Sequence, residues 1–146
     1  MNALVFVDTN VLLYRHDGKK LEKQEAAGIW LAHLWRTHSG RLSMQVLQEF
    51  YLNATQKLKP GLDRVVARQE VQDLMTWQPV AIDFQVIADA WDLQDRYGIS
   101  FWDSLIAAAA RLAGCRFLLT EDLQHDQDLN GVRVLSPFIA RPSSFP

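Results

Sequence analysis

The sequence predicts an α/β fold built on a parallel sheet, and three observations carry that expectation. The first is Ala3-Leu4-Val5-Phe6-Val7, five apolar residues with β-branched Val5 and Val7, the composition of a strand buried on both faces. The second is alternation. Short apolar runs at 41–44, 79–82, 116–120 and 132–135 are separated by helical periodicities, and strands alternating with helices build parallel sheets with right-handed crossovers. The third is where the acids fall. Asp8 follows the first run and Glu121-Asp122 the fourth, so both should emerge at the carboxyl edge of the sheet, where ligands of such folds sit.

Taken in order, Asp8 stands where the first strand ends. A carboxylate there is unfavourable unless it is paired or coordinated, but Asp, Thr and Asn also favour helix caps. Capping and chemistry both remain open for Asp8 at that point. Val11-Leu12-Leu13-Tyr14 continues as a short apolar helical turn, and a longer helix is predicted over about residues 21–35. Its Trp30, and Trp35 at its end, read as core or dimer-contact residues rather than a base-stacking platform. After Gly40 comes a short second strand at 41–44, then a helix over 45–58 that stops before Pro60-Gly61. Val46, Leu47, Phe50, Tyr51, Ala54 and Leu58 form its apolar stripe. Glu49 falls on the opposite side, beside Asn53 and Gln56, so periodicity alone makes it a solvated glutamate.

Residues 62–77 read as another helix, with Val65, Val66, Val71, Leu74 and Met75 mostly inward. A third strand is expected at 79–82, and Asp83 should cap a helix over 84–97. The acidic row Asp89, Asp92 and Asp95 on that helix should face solvent, and Gly98 ends it. Ser100 and Asp103 have capping-box spacing at the start of a helix that is apolar all round from Leu105 to Ala110. The runs at 116–120 and 132–135 complete the sheet.

At 146 residues, 49% hydrophobic and 22% charged, residues 1–146 should form one domain with a proper core. A net charge of -2 excludes a general basic field, so nucleic-acid binding would need a local patch. Lys57, Lys59, Arg64 and Arg68 provide one, diluted by Asp63 and Glu70. The single cysteine, Cys115, excludes an internal disulfide and fits a reducing compartment. The four histidines are scattered without zinc-type spacing. Asp8 interrupts the first apolar run too early for a signal peptide, and nothing approaches the ~20 apolar residues of a membrane span. A soluble cytoplasmic protein with no membrane association is expected.

Acids at the ends of two strands and in the first turn of a buried helix predict a shared carboxylate pocket. Like charges gathered without a counter-ion are unfavourable, so such a pocket usually holds a cation. Hard oxygen ligands select Mg²⁺ or Mn²⁺ over zinc or copper, and the chemistry that follows is phosphodiester hydrolysis. Four motifs carry this further: Val7-Asp8-Thr9-Asn10-Val11-Leu12, Gln48-Glu49-Phe50-Tyr51, Ser100-Phe101-Trp102-Asp103-Ser104-Leu105-Ile106 and Leu118-Leu119-Thr120-Glu121-Asp122-Leu123. In this order and spacing the chain resembles the PIN-domain ribonucleases of the VapC toxin type over nearly its whole length.

The resemblance implies a PIN-like three-layer sandwich, with a parallel sheet of four to five strands flanked by helices, in a single nuclease domain. It implies a Mg²⁺- or Mn²⁺-dependent endoribonuclease, the toxin of a VapBC-type toxin–antitoxin system. Asp8, Glu49, Asp103 and Asp122 are then the catalytic and metal-binding quartet, with Asp122 matching the family position better than Glu121. Thr9, Thr120 and Asn10 would position water or phosphate, and Lys57, Lys59, Arg64 and Arg68 would contact RNA. An antitoxin that blocks the site and a homodimer are implied as well. The resemblance thus reverses the periodicity reading of Glu49. Three other classes compete. A phosphoacceptor receiver domain would need a lysine near the end of a late strand, yet every lysine lies at or before Lys59. A catalytically silent PIN-like module that binds RNA or a protein is the main alternative. DNA cleavage is the third, because a 2′-hydroxyl plays no part in attack by an activated water.

Overall fold

The computed structural model describes residues 2–144. The chain runs β1 (Val5–Val7), α1 (Thr9–Tyr14), α2 (Leu21–Thr37), β2 (Gly40–Arg41), α3 (Met44–Gln56), α4 (Arg64–Leu74), α5 (Phe84–Tyr97), α6 (Phe101–Leu112), β3 (Phe117–Leu119), β4 (Asp128–Leu129) and β5 (Val132–Leu135). The five strands lie in the order β2-β1-β3-β5-β4. β2, β1, β3 and β5 are parallel, and β4 joins β5 antiparallel. This is the expected α/β architecture, a mostly parallel sheet flanked by helices.

β1 lies between two neighbours with its three residues buried, as its unbroken apolar run requires. Phe6 and Val7 of β1, Leu118 and Leu119 of β3 and Phe50 of α3 are each fully buried. α1 packs on α3, α3 on α4, and α5 along α6. Register then places the site. Val7 pairs with Leu119, and Leu119 with Leu135, so the chain leaves β1 and β3 side by side. The Asp8 amide donates to the Leu119 carbonyl at 3.1 Å, and the Thr120 amide to the Leu135 carbonyl at 3.0 Å.

Three expectations are corrected. Residues 79–82 do not form a strand: Val80 makes one parallel bridge to Ser43, its amide donating to the Leu42 carbonyl and its carbonyl accepting from the Met44 amide. The second strand is likewise cut to Gly40–Arg41, because Ser43 already caps α3 through its hydroxyl. With α3 beginning at Met44, the extended backbone after β2 stops at Ser43, which makes the single bridge to Val80. On α4 the apolar residues are not mostly inward. Val65, Val66 and Met75 are exposed, while Ala67 and Leu74 are buried. The α4 helix rests against α3 on one narrow face, and the remaining apolar side chains stand in solvent.

The fifth strand of the sheet, β4, comes from an unexpected hairpin. Asn130 and Gly131 both have positive φ, 54° and 102°, the geometry of the tight hairpin turn that an Asn-Gly pair favours.

Candidate active site

The cleft begins where β1 and β3 end. Asp8 is only 5% exposed. Its Oδ1 accepts from the Thr9 amide at 2.7 Å, capping α1, and its Oδ2 accepts from the Thr120 hydroxyl at 2.8 Å. Cap and cleft acid are therefore the same carboxylate. Burial drives its pKa from 3.8 up to about 7, against the opposing bonds from Thr120 and Thr9; the Asp122 and Glu49 charges add to the rise.

Thr120 organises this edge. Besides donating to Asp8, its hydroxyl accepts from Asn10 Nδ2 at 3.2 Å and from the Asp122 amide at 3.0 Å. Asn10 Oδ1 in turn receives the Glu121 amide at 3.4 Å. Thr9 donates its hydroxyl to Glu49 Oε1 at 2.9 Å. Both threonine hydroxyls are thus taken up by carboxylates, so their role here is to fix the acids.

Glu49 lies half-buried on α3, and the face that periodicity assigns to bulk water turns into the cleft. Asp103 is reached from the other side. The Ser100 hydroxyl accepts from the Asp103 amide at 3.1 Å, which caps α6 and fixes the first turn. Burial raises the Asp103 pKa, Ser100 opposes the rise, and the Asp122 charge adds to it. Asp8, Glu49, Asp103 and Asp122 line one cleft of about 240 Å³, and no Lys, Arg or His is among the residues lining it.

Glu121 turns away. Lys23 binds one of its oxygens at 2.5 Å and the Tyr14 hydroxyl donates to the other. Burial alone would raise its pKa, but the bonds from Lys23 and Tyr14 outweigh burial and hold the pKa below the usual value. Lys23 also lies over the Tyr14 and Phe138 rings. Nothing in the order of residues marks this tether, which joins α1, α2 and the end of β3. The basic residues divide too. Lys57 borders a hollow of about 290 Å³ that shares Asn10, Leu13 and Asn53 with the acid cleft. Arg68 points elsewhere, donating to the Tyr51 hydroxyl at 3.1 Å in a separate groove. Lys59 and Arg64 are exposed.

Trp102 and Gln45 are lining residues that escaped the sequence argument, beside the apolar Leu13 and Ile106. Trp102, 63% exposed, forms part of the rim. Gln45 lies deep in it, and the spacing of Gln45, Glu49 and Asn53 on one helical face was the signal that could have found it. Cys115 has no part in the site; burial pushes its thiol up to about 12.

The donor set fits a hard cation. Four carboxylates face one another without a basic partner, and two have raised pKa values from burial and mutual repulsion, the imbalance that a divalent ion relieves. Among the described residues no three acid, His or Cys side chains form a ready-made cage. An open arrangement of that kind suits Mg²⁺ or Mn²⁺, which keeps several of its waters and needs only one or two direct carboxylates.

A small α/β sheet with an acid-lined cleft at its carboxyl edge defines the class. The particular family follows from comparison: residues 5–127 match the PIN domain model, and the chain belongs to the PIN domain family, whose members are generally nucleases. Solved structures agree on the fold. A toxin–antitoxin complex from Klebsiella pneumoniae superposes with a TM-score of 0.62 at 19% identity, covering 91% of this chain and 97% of that one. DNA-bound VapBC from Salmonella typhimurium gives 0.61 at 18%, covering 90% and 96%. VapBC2 from Rickettsia felis, bound to a promoter DNA fragment, gives 0.57 at 13%, also covering 90% and 96%. No curated protein matches.

Proposed function

We propose that the protein is a divalent-cation-dependent endoribonuclease, the toxin half of a VapBC-type pair. One observation carries the reading: Asp8, Glu49, Asp103 and Asp122, from four separate elements, line one cleft with no basic residue among them. These four acids would hold Mg²⁺ or Mn²⁺. Bound there, the cation would neutralise the phosphodiester and supply an activated water. The chain's own part is to hold the acids in place. Thr120 and the Thr9 amide fix the Asp8 carboxylate, the Thr9 hydroxyl fixes Glu49, and Ser100 fixes the turn bearing Asp103. RNA enters past Lys57 through the adjoining hollow.

The solved relatives in fold are toxin–antitoxin assemblies by their own descriptions. That supports an antitoxin as the partner that covers this cleft, and we extend the reading to a homodimer in the cytoplasm. Among the described residues no helix is long and apolar enough to cross a membrane.

The test is cleavage of cellular RNA by the purified protein with Mg²⁺, with Zn²⁺ and with chelator, beside an Asp8→Asn variant. Mg²⁺-dependent cutting that is lost in Asp8→Asn is expected, with Zn²⁺ substituting poorly for oxygen ligands. Cutting that persists in chelator overturns the mechanism. Induction in a bacterium should arrest growth with the wild type alone.

A further inference from the structure

Gln45 is the second residue of α3, just inside the turn that Ser43 caps. It is 7% exposed, and its Nε2 and Oε1 are both shielded from solvent and without a hydrogen-bond partner. Buried polar atoms are nearly always paired, and a primary amide left with both ends unsatisfied is unfavourable. Its side chain lines the acid cleft together with Glu49 and Asn53, four and eight residues further along the same helical face. Several other polar groups of the cleft are already bonded. Asp8 has two donors, Glu49 has Thr9, and Asn10 is held at both ends of its amide. Gln45 is not.

The chemistry of the surroundings says what it waits for. Ionised carboxylates accept hydrogen bonds and do not donate them. A phosphodiester also only accepts, so an anionic strand drawn in among these acids needs an N–H donor. A lysine or arginine there would pair with the acids instead, whereas a neutral amide donates without neutralising them. We infer that Gln45 is a substrate-positioning residue whose amide, shielded in the free protein, turns so that Nε2 donates to a non-bridging phosphate oxygen of the RNA strand in the acid cleft. The inference rests on the ribonuclease reading above. Because a non-bridging oxygen is charged before reaction as well as during it, the contact strengthens binding of substrate and transition state alike, and its loss falls mainly on KM.

The experiment uses Gln45→Met, close in shape and without the amide, and Gln45→Glu. The first readout needs no RNA. Melted in chelator, Gln45→Met should be as stable as wild type or more so, because replacing an orphaned amide by an apolar group removes a penalty. A fall of more than a few degrees would mean that the amide serves the fold, and would overturn the inference. The second readout is the rise in melting temperature on adding Mg²⁺, which Gln45→Met should retain. Its loss would make Oε1 a cation ligand and also overturn the inference. In cleavage, Gln45→Met should raise KM by roughly 10- to 100-fold, the strength of a hydrogen bond to a charged group, with kcat within a few-fold. Gln45→Glu should raise KM further, since a carboxylate repels the phosphate. Unchanged KM in both variants rejects the inference. If the wild type cuts no RNA, the ribonuclease reading fails separately. The inference is then decided by binding of a short fluorescein-labelled random-sequence RNA in Mg²⁺, where Gln45→Met should bind about tenfold more weakly and equal affinity rejects it.

Discussion

Ser100 and Asp103 begin the same helix, but the cap bond runs from the Asp103 backbone amide to the Ser100 hydroxyl, which a change of the Asp103 side chain leaves in place. Ser100→Ala should therefore lower stability by about 1 kcal/mol, a fall of roughly 2–6 °C for a chain of this length. Asp103→Asn, melted in chelator, should hold its melting temperature or gain, since it removes one charge from a crowded carboxylate group. Mg²⁺ should stabilise the wild type and much less the Asp103→Asn variant. A drop for Asp103→Asn equal to that of Ser100→Ala would return Asp103 to a structural role. Asp8 governs the response to pH. Its folded pKa of about 7 lies above the ordinary 3.8, so between those values the native state keeps a proton that the unfolded chain releases. That contribution is fully present below about pH 4 and is lost as pH rises through about 7. Without cation, the protein should melt lower at pH 8 than at pH 5.5, and Asp8→Asn should narrow the difference. A divalent ion competes with that proton, so Mg²⁺ should raise the melting temperature more at pH 8 than at pH 5.5. An equal Mg²⁺ effect at both pH values would remove Asp8 from the cation site.

Among the elements, the β2 edge is the most constrained by packing. A Cβ on Gly40 would lie 2.7 Å from the Trp77 ring, which is buried and stacks on Trp35 at 5.0 Å between centroids. Glycine is required there for close approach, not for backbone freedom. Gly40→Ala should force Trp77 out of place, with a loss of about 1–3 kcal/mol. Urea unfolding of the purified variant measures it; an unchanged midpoint would mean that the two tryptophans repack freely. The hairpin of β4 and β5 is the opposite case, a local device readable in Asn130-Gly131 that joins an antiparallel edge strand to a parallel sheet. The α5 helix behaved as its pattern requires, from Asp83 as cap to Gly98 in the left-handed conformation at its end.

At the scale of the molecule, the proposed ribonuclease activity requires a chain of net charge -2 to bring a polyanion to a cleft lined by acids. The basic residues that sequence groups together are placed unequally. Lys57 stands on the hollow continuous with the cleft, while Arg68 is engaged with Tyr51 in another groove. Lys57→Gln should weaken RNA binding and reduce the salt dependence by about one counterion-release unit. Arg68→Gln should change both less. Anisotropy titrations over a salt series decide between them, and equal effects would mean that the strand lies across α3 and α4 instead.

By itself, the sequence determined the α/β class, the buried first strand, most helix spans and the acids at the ends of β1 and β3, because apolar runs and caps record local burial directly. The likeness to PIN nucleases singled out Asp8, Glu49, Asp103 and Asp122, and the fold brings all four to one cleft. Tertiary structure alone decided the rest. Periodicity shows which face of α3 is apolar but not what its polar face confronts, so Glu49 and Gln45 became cleft residues only once α3 lay against α1 and its polar face met the other acids. Of the two adjacent acids at the end of β3, the likeness alone favoured Asp122; the physical reason came with the fold, where Lys23 and Tyr14, far away in the chain, draw Glu121 aside. Residues 79–82 had strand composition but no backbone partner beyond one bridge, and α4 kept valines exposed because only one of its faces meets a neighbour. Local sequence encodes propensity and burial; which groups meet depends on contacts between distant segments, and these exist only in the folded chain.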